Sequence, residues 1–162
     1  MKTFIITFFT ILFCLTSSVG WSVTLDDLEE RDGIYYKKFT EVPFTGKVKG
    51  KTQGSMKNGK KDGSWIGYFD NGQLHYKGEY KNGKREGSYI DYWDNGQLWN
   101  KGEYKNGKRE GSWLSYWANG KLKSKGNYKN DNLEGSWIYY NEDGTIWEDA
   151  TRTYKNGKMI SE

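Results

Sequence analysis

Few side chains in this 162-residue chain can do chemistry, and their counts close most routes before any fold is considered. There is one histidine, His75, and one cysteine, Cys14. Zinc, iron and copper sites draw on clusters of His and Cys, and a Ser-His-Asp or Cys-His nucleophile needs its own histidine. Neither can be assembled from this inventory. The carboxylates Asp62, Glu86, Glu110 and Glu134 recur at the same position of a repeat, each followed by a glycine. With two strands per repeat, neighbouring acids lie roughly 10 Å apart, twice the 4.7–4.9 Å strand separation. Calcium needs shared oxygens at about 2.3–2.6 Å, so this row reads as structural, each acid pairing with Lys or backbone. His75 stands where Trp99 stands one repeat later and reads as an ordinary strand residue. The Asn-Gly-Lys stretches lack the strand-to-helix turn and Lys-Ser/Thr of a phosphate loop and read as hairpin tips. The expectation is a non-enzymatic protein with no catalytic, metal or cofactor site and no small-molecule substrate.

Charge and aromatic content leave binding as the open class. The chain carries 25 Lys+Arg against 21 Asp+Glu and 17% aromatic residues, with 35% hydrophobic residues in all. A thick aliphatic core is not expected. Lysines interleaved with Tyr and Trp suit single-stranded nucleic acid, but the net charge of +4 is a weak field. Nucleic acid is therefore disfavoured.

The elements that must position these residues follow from an ungapped internal repeat. Cutting at the glycine found at every twenty-fourth position gives four units, 54–77, 78–101, 102–125 and 126–149, typified by GEYKNGKREGSYIDYWDNGQLWNK at 78–101. Residues 21–53 form an N-terminal segment, and 150–162 hold a partial fifth copy. Asn-Gly, Asn-Asp and Asp-Gly pairs from Asn58-Gly59 to Asp143-Gly144 follow one another in alternating steps of thirteen and eleven positions. Asn-Gly and Asp-Gly favour type I′ hairpin turns, whose two central residues need φ > 0. Two turns per repeat imply two strands per repeat. The predicted fold is all-β: a single-layer antiparallel meander of about nine to ten strands.

Two-residue loops at every turn predict the side-chain register. Trp93 then faces Leu98, Tyr89 faces Gly102, Tyr104 faces Arg109, and Gly102 faces Gly111. One packing face collects Tyr89, Trp93, Leu98, Gly102, Tyr104, Gly111, Trp113 and Trp117, and Trp99 falls on the other. Gly78, Gly87, Gly102, Gly111, Tyr80 and Tyr104 are read as structural repeat positions, the glycines leaving a floor for neighbouring rings. The register also sets Glu103 against Glu110, a like-charge pair that costs stability.

The core G-x-Y-K-N-G-K-x-E-G-x-W-x-x-Y, at Gly102–Tyr116 and, with Tyr89 in place of the Trp, at Gly78–Tyr92, resembles the bacterial MORN-repeat variant. The chain as a whole is similar to proteins labelled YwqK-family antitoxins of toxin–antitoxin systems, and Arg31–Tyr36 with Pro43–Gly46 resembles the half-repeat that opens many of them. The resemblance implies a hairpin-repeat array, and an antitoxin role implies a cytoplasmic toxin as partner.

The N-terminus points elsewhere. Lys2, the apolar run Thr3 to Leu15 and Thr16-Ser17-Ser18-Val19-Gly20 have the three regions of a secretory signal. Thirteen apolar residues fall short of the roughly 20 needed to span a bilayer. Cleavage after Gly20 leaves a chain that starts at Trp21, has no cysteine and carries 24 basic against 21 acidic side chains. The expected localisation is periplasmic or secreted. Charge is uneven along the array, +4 in 102–125 and −5 in 126–149. Lys121, Lys123 and Lys125 are therefore candidate binding residues, with the aromatic face at Trp93, Trp113 and Trp117 as the other candidate. A protein is the expected partner, with peripheral attachment to anionic lipid second and an antitoxin role third.

Overall fold

The computed structural model describes residues 22–160; the predicted signal, 1–20, lies outside them. A short hairpin, β1 (Leu28–Arg31) and β2 (Ile34–Lys37), precedes one long antiparallel sheet. Its strands are β3 (Gly46–Val48), β4 (Thr52–Lys57), β5 (Lys60–Tyr68), β6 (Leu74–Lys81), β7 (Lys84–Tyr92) and β8 (Leu98–Lys105). They continue as β9 (Lys108–Tyr116), β10 (Leu122–Lys129), β11 (Asn132–Tyr139), β12 (Arg152–Lys155) and β13 (Lys158–Ile160). Every strand pairs with its sequence neighbours, so the sheet is an eleven-stranded meander. The nine turn dipeptides from Asn58-Gly59 to Asn156-Gly157 separate the ten strands β4 to β13, and the sheet exceeds the expected nine to ten by β3, which precedes the first repeat.

The turns are of two kinds, which corrects the uniform two-residue loop. At Asn58-Gly59, Asn82-Gly83, Asn106-Gly107, Asn130-Asp131 and Asn156-Gly157 both residues have φ > 0, as type I′ requires. At Asn71-Gly72, Asn95-Gly96, Asn119-Gly120 and Asp143-Gly144 the loop holds three residues. The Gly96 N–H donates to the Trp93 carbonyl and the Trp93 N–H to the Gln97 carbonyl, while only Gly96 of the loop has φ > 0. That is the type I turn closed by a left-handed glycine. The extra residue shifts the register, so that Tyr92, not Trp93, pairs with Leu98.

A second correction concerns the glycines. Tyr89 pairs with Gly102 and Tyr104 with Arg109, as expected, but Gly102 does not face Gly111. Between the pairs Lys101↔Leu114 and Glu103↔Glu110, β9 carries three residues against one on β8. Gly111 occupies this bulge at φ +72 with nothing within 4 Å of where a Cβ would stand, and it pairs with Tyr128 on the other side. Gly102 instead lies under Trp113, where a Cβ would fall 2.6 Å from Cζ3 and 2.7 Å from Cδ2. One glycine supplies backbone freedom and the other makes room for a ring.

Repetition of this arrangement builds the core. Across the inner face Trp65, Gly78, Tyr89, Gly102, Trp113, Gly126 and Trp137 alternate ring and glycine. The four rings are 0–7% exposed. Tyr80, Tyr104 and Tyr128 fill the gaps, with Tyr104 edge-on to Tyr89 at 5.4 Å and to Trp113 at 5.5 Å. Lys61, Arg85 and Arg109 lie over these rings, Arg109 at 3.9 Å from the Tyr128 centroid. Such edge-on and cation contacts each add about 0.5–1.5 kcal/mol to the burial itself.

Among the described residues, only the N-terminal end has a conventional core. Leu28, Phe44, Val48, Met56 and Trp65 are buried together. The hairpin is pinned to the first tight turn: Tyr35 N–H donates to the Gly59 carbonyl at 2.8 Å, and Gly59 N–H to the Phe44 carbonyl at 2.7 Å. Burial and a hydrogen bond to Glu30 push the Tyr35 phenol up to about 12.

Candidate interaction surfaces

Alternating turn types give the sheet two unlike rims, because tight turns all fall on one side and wide turns on the other. Within two residues of the five tight turns of the sheet stand twelve basic side chains and one acidic, Asp131. Within two residues of the four wide loops stand one basic residue, Lys121, and four acidic ones. The charge is thus sorted across the sheet as well as along it. At the tight rim Lys57↔Lys60, Lys81↔Lys84, Lys105↔Lys108 and Lys155↔Lys158 are directly opposed. Among the described residues none of these eight lysines is in an ion pair.

The periodic carboxylates lie just inside this rim and stitch one repeat to the next. Glu86 accepts from the Asn106 N–H at 2.7 Å, Glu110 from Asn130 at 2.9 Å, Glu134 from Asn156 at 2.8 Å and Asp62 from Asn82 at 3.3 Å. Backbone pairing is the role expected of them. It also bears on the like-charge pair Glu103↔Glu110, which the structure retains, since Glu110 is held by a backbone donor. At the wide rim the stitch is an amide: Asn71, Asn95 and Asn119 each donate from Nδ2 to a carbonyl 23 residues on.

Trp93 and Trp117 leave the ladder face assigned to them. The longer loop turns Trp93 onto Trp99, with centroids 4.8 Å apart, and its Nε1–H donates to the Tyr116 carbonyl. Trp117 donates likewise to Tyr140 and carries Lys123 over its ring at 4.3 Å. His75 stacks on Phe69 at 4.2 Å in the same repeat position. Of the aromatic candidates, Trp113 alone belongs to the buried ladder. The lysine candidates are also divided. Lys121 sits at the wide rim with its Nζ donating to the Asp143 carbonyl, Lys123 lies at the start of β10 over the Trp117 ring, and Lys125 projects from mid-strand on the outer face. Gly78, Gly102, Tyr80 and Tyr104 are ladder residues, and Gly87 and Gly111 lie at bulges.

The outer face carries a shallow repeated depression. Ser88, Lys101, Glu103, Ser112 and Leu114 line about 260 Å³, and Ser112, Leu114, Lys125, Asn127, Ser136 and Ile138 line about 240 Å³ one repeat later. These residues come from equivalent positions of successive units. On the inner face burial raises the Asp91 carboxyl, partly offset by hydrogen bonds from Asn100. Among the described residues no group of three His, Cys, Asp or Glu converges as metal ligands would, and no helix is long and apolar enough to cross a membrane.

Reading all turns alike hides the two rims. The signal that separates them lies in the unequal steps between turns and in the lysine that immediately precedes every tight turn and no wide one. In comparison with known families, the model described as MORN repeat variant matches residues 61–82, 85–106, 109–130 and 133–156, more than half of the chain. No curated protein matches it.

Proposed function

The chain belongs to the MORN repeat variant family, and from that premise we propose that it works without catalysis, as a binding or scaffolding module for a protein partner. The observation that carries this reading is the outer-face depression, which recurs with the same Ser, Leu/Ile and Lys positions in successive repeats. A partner that fits one unit meets the next at a fixed step of two strands, and unit binding adds along the array. We place the protein outside the cytoplasm, periplasmic or secreted, because residues 1–20 read as a cleavable signal. Export argues against the cytoplasmic antitoxin role that the likeness to bacterial YwqK-family proteins implies. Peripheral attachment to anionic lipid is the second reading, favoured by Lys101 and Lys125 on the outer face.

Leu114→Glu with Ile138→Glu puts two charges into the depression without touching the buried ladder. Capture of an envelope protein by the wild type and its loss in this variant, at unchanged circular dichroism, is the expected result. Equal capture by both overturns the outer-face site. Fractionation with N-terminal sequencing checks export: Trp21 as first residue is expected, and an intact Met1 in the cytoplasm overturns it.

A further inference from the structure

The tight rim sets lysines against each other at four of its five turns, although like charges directly opposed in a sheet are destabilising. The acids nearest to them are occupied by backbone donors. We infer that this lysine rim is a docking line for an extended acidic polypeptide segment running along the tips, perpendicular to the strands. The inference rests on the protein-binding reading and names the surface and the chemistry of the partner.

Spacing supports this occupant. Successive tight turns are two strands apart, about 9.5 Å. An extended chain in the polyproline II conformation rises about 3.1 Å per residue with three residues per turn, so an acid at every third position stays on one face and meets each tip in turn. Shape separates it from the other polyanions. Neighbouring strands rotate by roughly 20–25°, so a line of tips spread over ten strands winds around the sheet axis. A flat lipid surface touches only a few adjacent tips of such a line, whereas a flexible chain follows it. Nucleic acid lacks its stacking partners here, since Trp93, Trp99 and Trp117 gather toward the wide rim and the ladder rings lie inside the tips. Lysine suits the task, being a mobile point charge without the fixed fork of arginine.

The test uses the purified protein and a labelled peptide of about 15 residues with Asp at every third position, long enough to pass four tips. Lys84→Gln with Lys108→Gln removes one member of two opposed pairs, and Lys101→Gln with Lys125→Gln removes the same charge from the outer face. The rim variant is expected to lose about tenfold in affinity and the outer-face variant less than about twofold, with both differences shrinking in high salt. The melting temperature of the rim variant should hold or rise, because a repulsion has been removed. Equal losses in the two variants, or equal binding of a peptide of the same composition with its acids in one block, overturn the docking line. So does tighter binding of phosphatidylserine vesicles or of a single-stranded oligonucleotide than of the peptide. A partner captured equally by wild type and rim variant removes the rim and leaves the protein-binding reading intact.

Discussion

Substituting alanine at Gly102 and, separately, at Gly111 distinguishes the two reasons for glycine in the repeat. At Gly111 the added Cβ meets nothing within 4 Å, and the only cost is φ +72. That left-handed backbone costs about 1–2 kcal/mol. At Gly102 the Cβ would stand 2.6–2.7 Å from two atoms of Trp113, a side chain only 7% exposed and wedged between Tyr104 and Tyr128. The ring has to leave its place, and losing a buried Trp altogether costs about 3–5 kcal/mol. Gly102→Ala is therefore expected to cost about 3 kcal/mol, roughly one and a half to three times the cost of Gly111→Ala. At about 2–4 °C per kcal/mol for a chain of this size, melting followed by near-ultraviolet circular dichroism resolves the difference. A double-mutant cycle sharpens it: once Trp113→Ala has removed the ring, adding Gly102→Ala should cost less than about 1 kcal/mol. Gly102→Ala no worse than Gly111→Ala, or full additivity with Trp113→Ala, would refute the ring-on-glycine account.

Glu86→Ala leaves the Asn106 N–H without its acceptor and should cost about 1 kcal/mol, whereas Glu86→Gln retains an acceptor and should cost less than half of that by chemical denaturation. Deleting residues 78–101, one full period, should leave a folded and less stable array, because each unit contacts mainly its neighbours. Deleting 90–101 reverses the direction of every later strand, and circular dichroism should show much of the sheet lost. Burial raises the phenols of Tyr35, to about 12, and Tyr89 above the ordinary value. The folded state thus holds these protons more tightly than the unfolded chain, so their stabilisation is complete below about pH 10 and is lost as pH rises toward 12. Stability at pH 11 should fall below that at pH 9, and tyrosinate absorbance should appear together with loss of near-ultraviolet signal.

The meander was legible because its evidence is local: a constant repeat period and a turn dipeptide between every two strands. The pairs Tyr89↔Gly102 and Tyr104↔Arg109 followed from counting outward from two neighbouring turns. Counting failed at Trp93, since one Asn-Gly dipeptide serves two loop lengths and the identity of the loop depends on whether Asn itself adopts φ > 0. Asn82 does and Asn95 does not. It failed again at Gly111, because a bulge leaves no mark beyond a glycine, and simple counting sets that glycine against Gly102. The periodic carboxylates were placed correctly as structural, since distance alone excluded a shared ion. The basic rim was hidden because lysines one repeat apart look like solvated surface until the turns are sorted by side.

The hairpin of β1 and β2 closes one end of the sheet over Trp65, while Met159 and Ile160 at the other end stand about half exposed. The two ends therefore differ in how they come apart. Unzipping from β13 exposes a few side chains per strand, and each lost strand leaves a terminus much like the one before it. Opening from the other side must first lift Leu28, Phe44 and the backbone bonds at Gly59 together. Thermal fraying and protease trimming should run from the C-terminus inward in steps of one hairpin, with the capped end last to yield. Hydrogen exchange would record this as a gradient of protection running the length of the array.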